Sequence, residues 1–199
     1  PVGRLQRNYG TSVERAVPSL TAALAGMAQA GIATSLKHFP GLGQVVTNTD
    51  FGRAIDTVTT IDDPLLGSFS QAMAAGASSV MISSAVYQRI DPDHEAVFSK
   101  TIITDLLRGR LGWSGLVISD DLGAAEAVKD IPVPERAVRF VQAGGDVVIN
   151  ADAQTAPQMA EALMRQAKAD PAFDARLTES VGRVLALKAK LGLAADACA

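Results

Sequence analysis

The sequence predicts an α/β fold with parallel strands joined by helical crossovers. Four short apolar, β-branched runs alternate with longer segments of helical apolar spacing, the order that parallel strands with right-handed connections produce. The runs end on Lys37, Ser83, Asp120 and Asn150, about 30–46 residues apart and near the size of a βαβ unit. Polar residues at every strand end are what the active-site rim of a (β/α) barrel requires, yet such a barrel has eight strands in about 250 residues. Periodicity alone leaves both a small open sheet and part of a barrel open.

Residues 1–10 read as loop. Thr11 to Ala30 carries Val13, Val17, Leu20, Leu24 and Met27 at helical spacing, with Ser12 as N-cap and Gly31 as stop. Pro18 is expected to split this segment into a leading turn and a longer helix. Ile32 to Leu36 reads as a strand ending on Lys37-His38-Phe39-Pro40-Gly41, followed by a long polar loop to about Thr60. Asp62-Asp63-Pro64 starts a helix running through Phe69 and Met73 to Gly76. Ser79 to Ile82 is the next strand, ending on Ser83-Ser84; a loop with Pro92 and a helix over Lys100–Leu111 follow. Gly115 to Ser119 is a buried strand, then come helices over Leu122–Val128 and Glu135–Ala143. Gly144-Gly145 introduces the strand Asp146–Asn150, and helices at about Gln154–Lys168 and Asp174–Leu191 close the chain.

The composition suits one globular domain: 199 residues, 48% apolar and 20% charged, with a formal net charge of −3. It argues against disorder, and mild acidity gives no basic footprint for nucleic acid. No apolar run approaches the roughly 18–20 residues that span a membrane. The only cysteine, Cys198, allows no disulfide framework within one chain and does not locate the protein. The chain opens on Pro1 rather than methionine, so a processed or truncated product is expected, and any export signal would stand upstream.

The strongest chemical signal is Asp120-Asp121, where an apolar strand stops on two adjacent carboxylates. Burying either without partners is costly, so the pair belongs where a strand emerges into a cleft. Asp120 is the leading catalytic candidate; the alternative is that Asp120 or Asp121 caps the next helix, as Asp often does. Lys37-His38 ends another strand and suits binding of hydroxyls or an anionic group, unless Lys37 merely pairs with a strand-end carboxylate. The glycine-containing loop from Gly41 carries Asp50 but lacks the Gly-Lys-Ser/Thr of a phosphate loop. Asp50 and Asp120 together supply the two carboxyl groups that glycoside hydrolysis uses, although a loop Asp can also simply form an Asx-turn. His38 and His94 lack ligand spacing for a metal, and no Gly-x-Ser-x-Gly elbow occurs.

Lys37-His38-Phe39-Pro40-Gly41 together with Gly115-Leu116-Val117-Ile118-Ser119-Asp120-Asp121-Leu122 resembles glycoside hydrolase family 3, particularly its β-N-acetylhexosaminidase branch. Arg7-Asn8-Tyr9-Gly10 looks like that branch's Arg-Ser-Phe-Gly segment. Ala143-Gly144-Gly145-Asp146 resembles its next-to-last strand, and Arg183 to Lys188 its closing helix. The resemblance implies a TIM-type (β/α) barrel, here only its C-terminal part: strands four to seven and the terminal helices, with the first three strands upstream of Pro1. It implies a retaining β-glycosidase of terminal β-linked N-acetylglucosamine, from peptidoglycan or chitin fragments. Asp120 then matches the nucleophile that forms a covalent glycosyl-enzyme, and Arg7, Lys37 and His38 match residues binding the sugar. No cofactor or metal is implied.

The departure lies in the acid/base loop. The branch reads Lys-His-Phe-Pro-Gly-His-Gly-Asp and then Asp-Ser-His, whose final histidine is the acid/base. Here Leu42 and Gln44 replace the first histidine and the aspartate, and Asn48-Thr49-Asp50 stands in place of Asp-Ser-His. Asp50 is therefore expected to take over proton transfer; otherwise the domain is a degenerate sugar-binding module. Ser84 stands where the branch often has a histidine, which is expected to alter the sugar pocket, and the altered loop makes a β-glucosidase-type specificity a further alternative. Four strands leave two open edges, so a companion chain, self-association or a longer polypeptide is expected to complete the barrel. The location is left open by the sequence, with a secreted or cell-envelope one favoured over a cytoplasmic one.

Overall fold

The computed structural model describes residues 2–193; Cys198 lies outside them. In chain order the elements are α1 (Val13–Gln29), β1 (Ser35–Phe39), β2 (Ile55–Asp56), α2 (Leu66–Ala74), β3 (Ser79–Ile82), β4 (Val86–Tyr87) and β5 (Asp91–Glu95). A π-helical segment, Thr101–Arg110, follows. Then come β6 (Leu116–Asp121), α3 (Val133–Gln142), β7 (Val147–Ile149), α4 (Ala156–Ala169) and α5 (Pro171–Lys190).

The expected parallel sheet is present, in the spatial order β1-β3-β6-β7. Its strands read as apolar runs because helices cover them: Phe39, Val80, Ile82 and Val117 are fully buried. The Phe39 ring meets Phe69 of α2 edge-on at 5.2 Å, fixing that helix on β1. No described helix is long and apolar enough to cross a membrane.

Several boundaries differ from expectation for identifiable reasons. α1 runs unbroken through Pro18, whose lost hydrogen bond is outweighed by packing of Leu20 and Leu24 on the core. Ser12 precedes α1 in extended conformation, but its side chain makes no capping bond. Gly31, at φ +70°, does end the helix, and Ile32 N–H donates back to Met27 O at 3.0 Å. That bond keeps Ile32 in the turn, so β1 begins at Ser35 and contains Lys37 and His38 rather than preceding them.

The loop expected between Gly41 and Thr60 includes β2. This short strand joins β4 and β5 in a second, three-stranded sheet. Asp56, fully buried, holds the turn after β2 by accepting from the Val58 and Thr59 N–H groups and the Thr59 hydroxyl. The helix expected over Leu122–Val128 is only a 3₁₀ turn, Glu126–Val128. Helices α3, α4 and α5 lie close to their expected positions, with Asp170 capping α5 through the Ala172 N–H.

Candidate active site

The site is built where the sheet's pairing is irregular. Registration between β1 and β3 slips between Leu36 and Phe39, across Lys37-His38. Registration between β6 and β7 slips between Ile118 and Asp121, across Ser119-Asp120. Such irregularities bend a strand and re-aim its side chains. They fall on the residues that the sequence singles out.

The two adjacent carboxylates have different tasks. Asp121 accepts from the N–H groups of Gly123 (2.8 Å), Ala124 (3.0 Å) and Ala151 (2.8 Å), so it ties the loop after β6 to the loop after β7. Gly123 belongs in that knot, because a Cβ there would lie 1.8 Å from Asn150 Oδ1. Asp120 accepts only the adjacent Asp121 N–H, at 3.0 Å, among the described hydrogen bonds. Its capacity is free for other chemistry. Burial pushes its carboxyl above the usual range; the Asp121 N–H opposes this, the Asp50 charge adds to it and Lys37 opposes.

Across β3, His38 Nε2 stands 3.8 Å from Asp120 Oδ2. His38 is 8% exposed. Burial, with the Lys37 and Arg7 charges, holds its pKa down to about 4 against the opposing pull of Asp50. The imidazole is thus neutral near pH 7 and can both donate and accept hydrogen bonds. Lys37 is exposed and makes no ion pair among the described residues. Its charge acts on both His38 and Asp120, so the purely structural pairing weighed for it is absent. Arg7 is exposed and joins the site through its charge on His38.

Asp50 is exposed on a segment that is otherwise pinned. Leu42, Val45 and Thr49 are buried, and Ala127 N–H donates to Thr49 O at 3.2 Å. The Asx-turn is made by Asn48, whose Oδ1 accepts the Asp50 N–H at 3.3 Å, rather than by Asp50. Asn48 Nδ2 donates to Asp50 Oδ2 at 3.1 Å, orienting the carboxylate. Arg7, Lys37, His38, Asp50 and Asp120 therefore form one electrostatically coupled group.

Tyr87 and Asp146 have roles that the sequence does not announce. Tyr87, from the small sheet, donates its hydroxyl to Gly41 O at 2.8 Å and braces the Phe-Pro-Gly turn; burial pushes its phenol far up. Only the strand-like pair Val86-Tyr87 marked it. Ser84, one residue beyond Ser83 at the end of β3, has a buried hydroxyl without a partner among the described residues. At the other end of the sheet Asp146 gathers three arginines. Its Oδ2 accepts from Arg108 at 2.7 Å, and its Oδ1 from Arg176 at 2.7 Å and Arg183 at 3.1 Å. Arg176 and Arg183 are seven residues apart, two helical turns, which was the available sequence signal.

Comparison with known proteins bears on the family and the fold. The model of the glycosyl hydrolase family 3 N terminal domain matches residues 2–187. A beta-hexosaminidase of Stenotrophomonas maltophilia is 37% identical over 155 residues, covering 74% of this chain and 46% of that protein. The crystal structure of a beta-N-acetylhexosaminidase from Beutenbergia cavernae superposes with TM-score 0.92 at 43% identity, over 95% of this chain and 56% of the other. A family 3 beta-N-acetylglucosaminidase from Paenibacillus superposes with TM-score 0.87 at 30% identity, over 97% of this chain and 38% of the other. The chain spans about half the length of the curated relatives it matches.

Proposed function

The chain belongs to glycosyl hydrolase family 3, and from that membership we propose that it carries the catalytic centre of a retaining β-glycosidase that removes terminal β-linked N-acetylglucosamine. Its four parallel strands are part of the family's TIM-type (β/α) barrel. The observation that carries the proposal is the division of labour between Asp121, fully engaged by backbone donors, and Asp120, left free beside a neutral His38.

In the first half-reaction Asp120 attacks the anomeric carbon while Asp50 gives its proton to the glycosidic oxygen, and the leaving saccharide departs as an alcohol. A covalent glycosyl-enzyme remains on Asp120. In the second, Asp50 takes a proton from water, which displaces Asp120 from the anomeric carbon and restores both carboxyl groups with net retention. Lys37, Arg7 and His38 hold sugar hydroxyls around that carbon, and the Lys37 charge favours the ionised form of Asp120.

Supporting this reading are the names of the relatives and the charge effects that link Arg7, Lys37, His38, Asp50 and Asp120. The test is a panel of 4-nitrophenyl β-glycosides with the natural polypeptide that contains these residues. Turnover of the N-acetylglucosaminide well above the glucoside is expected. A preference for the glucoside would change the sugar, and no turnover of any would leave a sugar-binding module.

A further inference from the structure

A cleft of about 430 Å³ opens beside the Asp50 segment, within the roughly 300–1,000 Å³ of small-ligand sites. One wall is Phe51 and Arg53, directly after Asp50. The other is the turn Glu126–Ile131, five residues beyond Asp121; Glu95 adds a side chain from β5. The Ala127 N–H to Thr49 O bond ties the walls together at their root. The cleft therefore lies between the segments that follow the two candidate catalytic carboxylates.

Phe51 is 81% exposed, an unusual place for a phenyl ring without a partner. Ala127, Val128 and Ile131 add apolar lining, and the charged side chains are mixed in sign: Arg53, Glu95, Asp130, and Lys129 paired with Glu126. A field with no dominant sign selects neither an anion nor a cation. It offers donors and acceptors beside a flat phenyl face, which suits a neutral pyranose with its C–H face on an aromatic ring.

We infer that this cleft is the leaving-group subsite, which takes a neutral saccharide with Phe51 as its platform. The inference rests on the reading of Asp50 as acid, because the sugar that receives Asp50's proton must lie on Asp50's side of the scissile bond.

Two measurements test it on the natural polypeptide. The first compares N,N′-diacetylchitobiose with N-acetylglucosaminyl fluoride, which has no leaving saccharide. In Phe51→Ala the ratio of kcat/KM for the disaccharide to that for the fluoride is expected to fall about tenfold, the loss of one aromatic contact, and Phe51→Tyr to restore it. An equal fall on both substrates, or no change on either, overturns the inference. The second, in Asp120→Asn, follows the Phe51 ring resonances by NMR. They are expected to shift with N,N′-diacetylchitobiose; no shift with the disaccharide overturns the inference. Absence of wild-type turnover on both substrates would reject the hydrolase reading alone, because the NMR measurement does not depend on turnover.

Discussion

His38 Nε2 lies 3.8 Å from Asp120 Oδ2, although the two side chains come from strands separated by β3. The pair is not a tight salt bridge. Burial keeps the imidazole uncharged, so Asp120 faces a dipole that can turn rather than a cation that would clamp it. A nucleophilic carboxylate gains from such a neighbour, because it must leave its partners to form a bond to carbon.

This arrangement has a measurable consequence for stability. The pKa of His38, about 4 in the fold, lies below the 6.5 of an unperturbed histidine. Between those values the unfolded chain binds the proton more readily, so His38's contribution to stability is present above pH 6.5 and lost as pH falls towards 4. The loss amounts to about 3 kcal/mol. An NMR titration of the His38 ring protons is expected to place its midpoint near pH 4, and His38→Gln to flatten the stability profile over that window. A midpoint near 6.5 contradicts the burial argument.

Asp120 and Asp121 are expected to separate cleanly on mutation. Asp121→Ala leaves three backbone N–H groups without their acceptor, at about 1–3 kcal/mol for each that stays buried. Asp120→Asn removes a buried charge held by one neighbouring N–H and is expected to keep the denaturation midpoint near wild type while turnover is lost. Loss of stability in both variants to the same degree rejects the division of labour.

Asp146 is the strongest structural anchor outside the site. Asp146→Asn leaves Arg108, Arg176 and Arg183 facing one another around a neutral amide, and breaking a buried pair in this way costs about 3–5 kcal/mol. Denaturant unfolding reads the effect. A change within experimental scatter indicates that α5 is held by apolar packing alone.

Asp50→Ala is expected to slow cleavage of natural oligosaccharides by about 10²–10⁴-fold, the contribution of general acid–base catalysis. Aryl glycosides with good leaving groups need little protonation and are expected to lose far less in the first step. Azide should partly rescue their turnover by attacking the glycosyl-enzyme without a base. Equal, small losses on both substrate classes would return Asp50 to an ordinary loop residue.

The parallel sheet was legible because β3 and β6 are largely buried apolar runs followed by polar residues, and Val80, Ile82 and Val117 leave little alternative. β1 was misplaced because Ile32 looks like a strand residue but is spent closing α1, a local hydrogen bond that composition cannot reveal. The small sheet was invisible because Ile55-Asp56 and Asp91-Pro92-Asp93-His94-Glu95 show no apolar alternation; backbone pairing and the buried Asp56 hold it instead.

The site divides in the same way. The spacing singled out Asp120, Lys37 and His38 as strand-end groups, and the resemblance added Arg7. Which member of Asp120-Asp121 is free depends on Gly123, Ala124 and Ala151, and the last approaches only after α3 and β7 have folded back. Tyr87 braces Gly41 across 46 residues of sequence, a relation that no local pattern encodes.

The most direct test of the account is to trap the glycosyl-enzyme. A ring-fluorinated N-acetylglucosaminyl fluoride slows formation and breakdown of the intermediate, while its fluoride leaves readily. Incubation followed by proteolysis and mass spectrometry is expected to find one sugar attached to the peptide containing Leu116–Leu122, with fragmentation placing it on Asp120. A sugar on Asp121, or none on this peptide while substrate is turned over, contradicts the account.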